Sequence, residues 1–150
     1  MRSLNSSARR RRPFREFLDE ALYALRAELP WVWRALCAAL HARAVDLAVD
    51  GELVRVRGDA EGLSVTPLRA AGELTESVSL RTSRAVIVGL VEARDTFVDA
   101  VTHDRVTLRG GVDDLLAFHD ALVVFLHGAV RCPSFSRLLD EFLASAEVTG

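Results

Sequence analysis

A chain of 150 residues, half of them apolar, has the length of one domain and enough hydrophobic material for a single sizeable core. Its formal charge of -2 gives no general attraction to nucleic acid or to anionic lipid. All of the basic residues are Arg, Lys and Gln are absent, and Asn5 is the single Asn, a compositional bias from which no function follows.

The charge is unevenly placed. Arg9, Arg10, Arg11 and Arg12 form a run behind a Ser-containing leader, with no acidic residue before Glu16. Residues 1–12 are expected as a disordered basic leader. Such a leader is either simply solvated or makes weak peripheral contact with an anionic membrane, where each basic residue contributes about 1 kcal/mol. Arg11, Arg12, Pro13 and Phe14 are similar to the start of a twin-arginine export signal, but Arg15, Glu16, Asp19 and Glu20 interrupt the apolar run that such a signal needs. No later stretch reaches the roughly 18 continuous apolar residues of a membrane span, and the expectation is a cytoplasmic protein. Cys37 and Cys132 form no CxxC pair and have no His at ligand spacing, so two free thiols are expected, with no metal and no cofactor.

After Pro13, the residues Phe14, Phe17, Leu18, Ala21, Leu22, Leu25 and Leu29 recur at three- and four-residue intervals, the pattern of an amphipathic helix. Pro30 ends or kinks it, and a second helix is expected from Trp31 to Ala42 with Trp33, Leu36, Cys37 and Leu40 on one stripe. From Ala44 the period changes to two. Val45, Leu47 and Val49 alternate with Ala44, Asp46, Ala48 and Asp50, predicting a half-buried strand that turns at Asp50-Gly51 into a return strand over Leu53–Arg57. Further strands are expected at Leu63–Thr66, closed by Pro67, and at Ser77–Arg81, with Val78 and Leu80 inward.

Thr82 or Ser83 suits the N-cap of a short apolar helix through Val91, and a second helical turn is expected over Asp95–Val101. A fifth strand, Val106–Arg109, ends at Gly110-Gly111. A long helix then runs from Asp113 to Ala129, and after Cys132-Pro133 a last helix, capped by Ser134, carries Phe135, Leu138, Leu139, Phe142 and Leu143. Residues 13–146 read as one domain and residues 147–150 as a frayed tail. The order of elements predicts an α+β fold: a five-stranded, mostly antiparallel sheet with helices packed on one face, two helices ahead of it and an extended C-terminal helical segment. The other sheet face, carrying Arg55, Arg57, Ser77, Ser79, Thr107 and Arg109, is expected to meet water.

This order resembles the sterol carrier protein 2-type lipid-binding family over Val45 to Leu126. The resemblance is carried by Glu76 to Ser83 running into Val86 to Leu90 and Phe97 to Val101, and by Arg105 to Gly110, a strand that enters the long helix. The sequence departs from the family pattern at Asp104 and Arg105, where the family places a Gly. The resemblance implies a non-catalytic module with an internal apolar cavity for a sterol, a fatty acyl chain or an isoprenoid or quinone-type lipid. The implied ligand-binding residues are Val78, Leu80, Val86, Leu90, Phe97, Val101, Leu115, Phe118, His119 and Leu122. A protein-interaction scaffold with a filled cavity is the alternative, and a homodimer or an enzyme partner is open.

His119 falls beside Leu115, Phe118, Leu122 and Leu126 and is read as pointing inward, either toward a ligand hydroxyl or headgroup, or bonded in the core to a backbone carbonyl, Asp114 or Asp120. Asp113 and Asp114 are read as a favourable charge pair at a helix start. No nucleophile or paired carboxylate stands near enough to His119 in sequence to suggest catalysis. The last helix is read as a lid over the cavity, a permanent part of the core, or a face for a second subunit.

Overall fold

The computed structural model describes residues 12–59, 62–69 and 78–149. Helix α1 (Phe14–Glu28) and helix α2 (Pro30–Ala39) meet at Leu29, where Pro30 occupies the first turn of α2. Strands β1 (Ala44–Val49), β2 (Glu52–Asp59), β3 (Gly62–Pro67) and β4 (Val78–Thr82) follow, then helices α3 (Arg84–Val91) and α4 (Phe97–Thr102), strand β5 (Thr107–Gly110), and helices α5 (Val112–Arg131) and α6 (Pro133–Thr149).

The sheet has five strands in the order β3-β2-β1-β4-β5. Its pairs are antiparallel except the central one, β1 with β4, which is parallel and makes the sheet mixed. The register lines up Val65, Val56, Val45 and Val78 in one row across four strands, and Val54, Leu47, Leu80 and Leu108 in the next. Alternation therefore gives the sheet one continuous aliphatic face, over which the helices lie.

The opposite face departs from the expectation at its centre. Ala44, Asp46 and Ala48 are buried although they alternate with the inward residues. β1 is the middle strand, flanked on both sides, and Arg55 of β2 lies across it. Arg55, directly opposite Asp46 in the register, donates from Nε to Asp46 Oδ1 at 2.7 Å and from Nη2 to Oδ2 at 3.0 Å, so the buried carboxylate is satisfied by a two-point pair. Arg57, Thr107 and Arg109 on the flanking strands are exposed, whereas Ser77 lies outside the described residues.

Other expectations shift by a few residues for local reasons. In α2 the inward row is Val32, Leu36 and Leu40 instead of one led by Trp33, which is half-buried beneath Arg26, its ring 5.6 Å from the guanidinium carbon. Trp31 is exposed. Ser83 caps α3, its hydroxyl accepting from the Val86 N–H at 3.2 Å, and Thr96 caps α4 in the same way. Ser134 does not cap α6, because that helix already begins at Pro133. Glu28 takes the capping role across the chain: its carboxylate accepts from the Ser134 N–H at 3.2 Å, from the Ser134 hydroxyl, and from Cys132 Sγ at 3.2 Å. Helical backbone runs on to Thr149, through residues expected to fray.

Arg12, assigned to the leader, is docked. Its guanidinium pairs with Glu16, Glu20 and, at 2.8 Å, Glu141 of α6, and its carbon stands 4.5 Å from the Phe17 ring centre. Arg9, Arg10 and Arg11 lie outside the described residues.

Candidate functional site

Between the aliphatic sheet face and the helices lies a cavity of about 190 Å³. Its floor is Val45, Leu47, Val49, Val56, Leu63 and Leu80 from the strands. Its walls come from Phe14, Leu18 and Leu22 of α1, Leu36 and Leu40 at α2, Ile87, Leu90 and Val91 of α3, Phe97 of α4, and Phe118, Ala121, Leu122, Phe125 and Leu126 of α5. Thr82 brings the one polar side chain to the lining among the described residues, and its hydroxyl donates to the Arg105 carbonyl at 2.9 Å. The lining therefore offers an occupant van der Waals contact, its one hydroxyl donor being already engaged.

Of the residues singled out from the sequence, Leu80, Leu90, Phe97, Phe118 and Leu122 converge on this cavity. Val78, Val86 and Leu115 pack in the surrounding core without lining it. Val101 is exposed. His119 is corrected outright: its side chain is 57% exposed, with Nδ1 3.9 Å from Asp120 Oδ1. The inward side of α5 is centred on Phe118, Ala121, Phe125 and Ala129, which puts His119, about 100° further round the helix than Phe118, toward solvent. Small residues define that face because α2 passes close to it. A Cβ at Gly128 would stand 2.8 Å from a Val32 methyl and 2.9 Å from a Leu25 methyl.

Apart from Leu80, the floor and the α1 and α2 walls lie outside the set implied by the resemblance, although their periodicities are visible in the sequence. Period fixes which side of an element is apolar, but not which apolar sides leave space between them.

A smaller cavity of about 60 Å³ lies beyond the first, under α6. Phe14, Leu18, Ile87, Val91 and Phe125 line both and form the partition between them. Phe135, Leu138, Leu139 and Phe142 close the smaller one, so the apolar stripe of α6 is used as a cover packed on α1 and α3.

At the edge of this cover sits Arg84, fully buried at the start of α3. Its guanidinium carbon is 5.3 Å from the Phe17 ring centre and 5.0 Å from that of Phe142. Nη2 donates to Glu52 Oε2 at 2.8 Å and to the Arg12 carbonyl at 2.6 Å, while Nε and Nη1 have no hydrogen-bond partner. Glu52 also accepts from the Phe14 N–H at 2.7 Å. One buried cation thus ties together β2, the entry to α1, and α6. No local pattern marks it, since Arg84 stands near Arg81 in a loop-to-helix junction.

The thiols carry no sign of reactivity. Burial, followed by the hydrogen bond to Glu28, pushes the Cys132 thiol up to about 11, and burial also raises that of Cys37. Among the described residues no group of three or more His, Cys, Asp or Glu could hold a metal ion. No single helix among them is long and apolar enough to cross a membrane.

Compared by sequence, the chain matches no family model and no curated protein. Its structure matches solved ones. A UbiJ-SCP2 ubiquinone synthesis protein superposes with a TM-score of 0.51 at 14% identity, over 75% of this chain and 95% of the other. The sterol carrier protein domain 2 of Helicoverpa armigera gives a TM-score of 0.54 at 12% identity, over 75% of this chain and 87% of that domain. The chain therefore has the sterol carrier protein 2-like fold, an α+β sheet and helix arrangement, as the resemblance implied.

Proposed function

We propose that this protein is a non-catalytic carrier that holds an apolar ligand in the cavity between the sheet and α1 to α5. The observation that carries the reading is a void of about 190 Å³ whose lining is aliphatic and aromatic apart from Thr82. An unfilled void costs about 24 cal/mol per Å³, which amounts here to about 4 to 5 kcal/mol, a large share of the stability of an ordinary domain. A sequence that places apolar side chains around such a space and leaves it open keeps room for something else.

The volume also limits the ligand. It is above the roughly 150 Å³ of an engineered cavity that takes benzene and below the usual ligand-pocket range of about 300 to 1,000 Å³. As it stands it accommodates a small apolar molecule or one end of a longer chain. Contacts worth 4 to 5 kcal/mol correspond to about millimolar affinity, whereas micromolar affinity needs about 8 kcal/mol. A sterol, a fatty acyl chain or an isoprenoid or quinone-type lipid therefore requires the partition of Phe14, Leu18, Ile87, Val91 and Phe125 to move and join the two cavities, and the walls to yield further. Ubiquinone synthesis, the process named for one structural neighbour, keeps the last class among the candidates.

The alternative is a scaffold whose cavity takes no ligand and whose surface recruits a protein. Native mass spectrometry of the purified chain, followed by titration with a fluorescent fatty acid, a sterol and a short-chain quinone, separates the two. A carrier retains or takes up at least one of them at one site. Absence of any bound or bindable apolar molecule sinks the carrier reading.

A further inference from the structure

Helix α5 carries a second apolar row, on the side away from the sheet. Val112, Leu116, His119, Val123, Leu126 and Val130 follow one another at spacings of four, three, four, three and four residues. That alternation is the 3.5-residue period of a helix-pairing seam, and it extends over about 27 Å of helix. Most of the seam is not used inside the fold: Val112 is 74% exposed, Leu116 60%, Val123 37% and Val130 72%, with His119 exposed between them, while Leu126 is half-buried at the edge of the row, where it also reaches the cavity wall. Exposed large apolar residues arranged in one row at this period call for a helical partner rather than for solvent.

The row is nearly the same read from either end. About its midpoint Val112 answers Val130, Leu116 answers Leu126, and His119 answers Val123. Charge follows the same symmetry. Asp113 lies beside the seam at its first turn, and Arg131, 18 residues later and so five helical turns on, lies beside it on the same side at its last. We propose that α5 pairs antiparallel with α5 of a second copy of this chain, giving a two-fold dimer. Each Asp113 then meets Arg131 of the second copy, and the helix dipoles run in opposite directions, which is the favourable arrangement. One like-charge approach remains, where the two Asp120 side chains flank the axis. A seam of six side chains is smaller than a standard interface of about 800 Å² per partner, so the dimer is weak and concentration-dependent.

Sedimentation equilibrium of the full chain, from micromolar to millimolar concentration, tests this. A reversible monomer–dimer equilibrium is expected, weakened at least tenfold by Leu116→Glu, an exposed position whose substitution leaves the fold intact by circular dichroism. Asp113→Arg weakens the dimer, and Asp113→Arg combined with Arg131→Asp restores it, while Asp120→Asn tightens it. A chain that stays monomeric throughout, including one that instead captures a foreign amphipathic helix, overturns the proposal. So does a dimer indifferent to Leu116→Glu, or one that the paired charge reversal fails to restore.

Discussion

Filling the cavity from the helix side separates a space kept open for a ligand from an accident of packing. Ala121 is buried on α5 and lines the cavity, so Ala121→Leu directs three additional carbons into it. At about 0.8 kcal/mol per buried carbon the gain is about 2 kcal/mol, roughly half of the 4 to 5 kcal/mol that the open volume costs. For a chain of this length that raises Tm by about 6 °C. The same change removes the space an occupant needs, so the affinity of whichever apolar ligand the wild type binds falls at least tenfold. Leu80→Phe, on the floor opposite, acts in the same direction with a smaller gain. Scanning calorimetry of the free proteins and titration with the ligand give both numbers. A fall in Tm for both variants, or binding that survives both, refutes the account of the cavity as the open volume that a ligand occupies.

Three further outcomes follow from the surrounding structure. Glu52→Ala leaves the Arg84 guanidinium buried without its carboxylate and lowers stability by about 3 kcal/mol in urea titration, whereas replacing Arg84 and Glu52 together by Leu costs less than Glu52→Ala alone. The hydrogen bonds from Ser134 and then Cys132 hold the Glu28 carboxyl below its ordinary value. A depressed folded-state value contributes stability above the unfolded one that is lost as pH falls through it. Acid below about pH 4.5 therefore loosens α6 from the fold, and Glu28→Gln removes that part of the pH dependence, as read by hydrogen exchange at the α6 amides. The Cys132 thiol, pushed up to about 11, has the opposite sign: stability is complete below the ordinary thiol value and declines toward pH 11. At neutral pH native Cys132 resists iodoacetamide, and the unfolded chain does not.

The sheet was legible in the sequence because its signals are local. Alternation in Val45, Leu47 and Val49, the Asp50-Gly51 turn, and the charged alternation of Arg55 and Arg57 fix two strands and their faces without reference to anything else. The capped start at Ser83 and the long apolar helix after Gly111 are equally local. What depended on the third dimension was not legible. Asp46 looked like a solvent-facing residue until Arg55 was seen to cover it. His119 looked inward because Leu115, Leu122 and Leu126 were weighed more heavily than Ala121, Gly128 and Ala129, yet the small residues mark where α2 approaches and so where the core lies. Arg84 and Glu52 are 32 positions apart, as are no two residues that a periodic pattern relates.

The cavity itself was expected from the resemblance, and only half of its assigned residues line it. Its floor, four strands wide, comes from residues whose inward direction was clear and whose shared space was not. The volume left between layers depends on side-chain lengths that meet across the fold, at positions no sequence window contains.

The carrier reading is tested most directly by methyl nuclear magnetic resonance of the full chain during ligand titration. Binding within the cavity shifts the methyl signals of Leu47, Leu80, Leu90 and Leu122 together, saturating at one equivalent, and leaves the exposed Val98 and Val112 signals in place. Signals that stay fixed with every apolar ligand, or that move only at Val98 and Val112, contradict it.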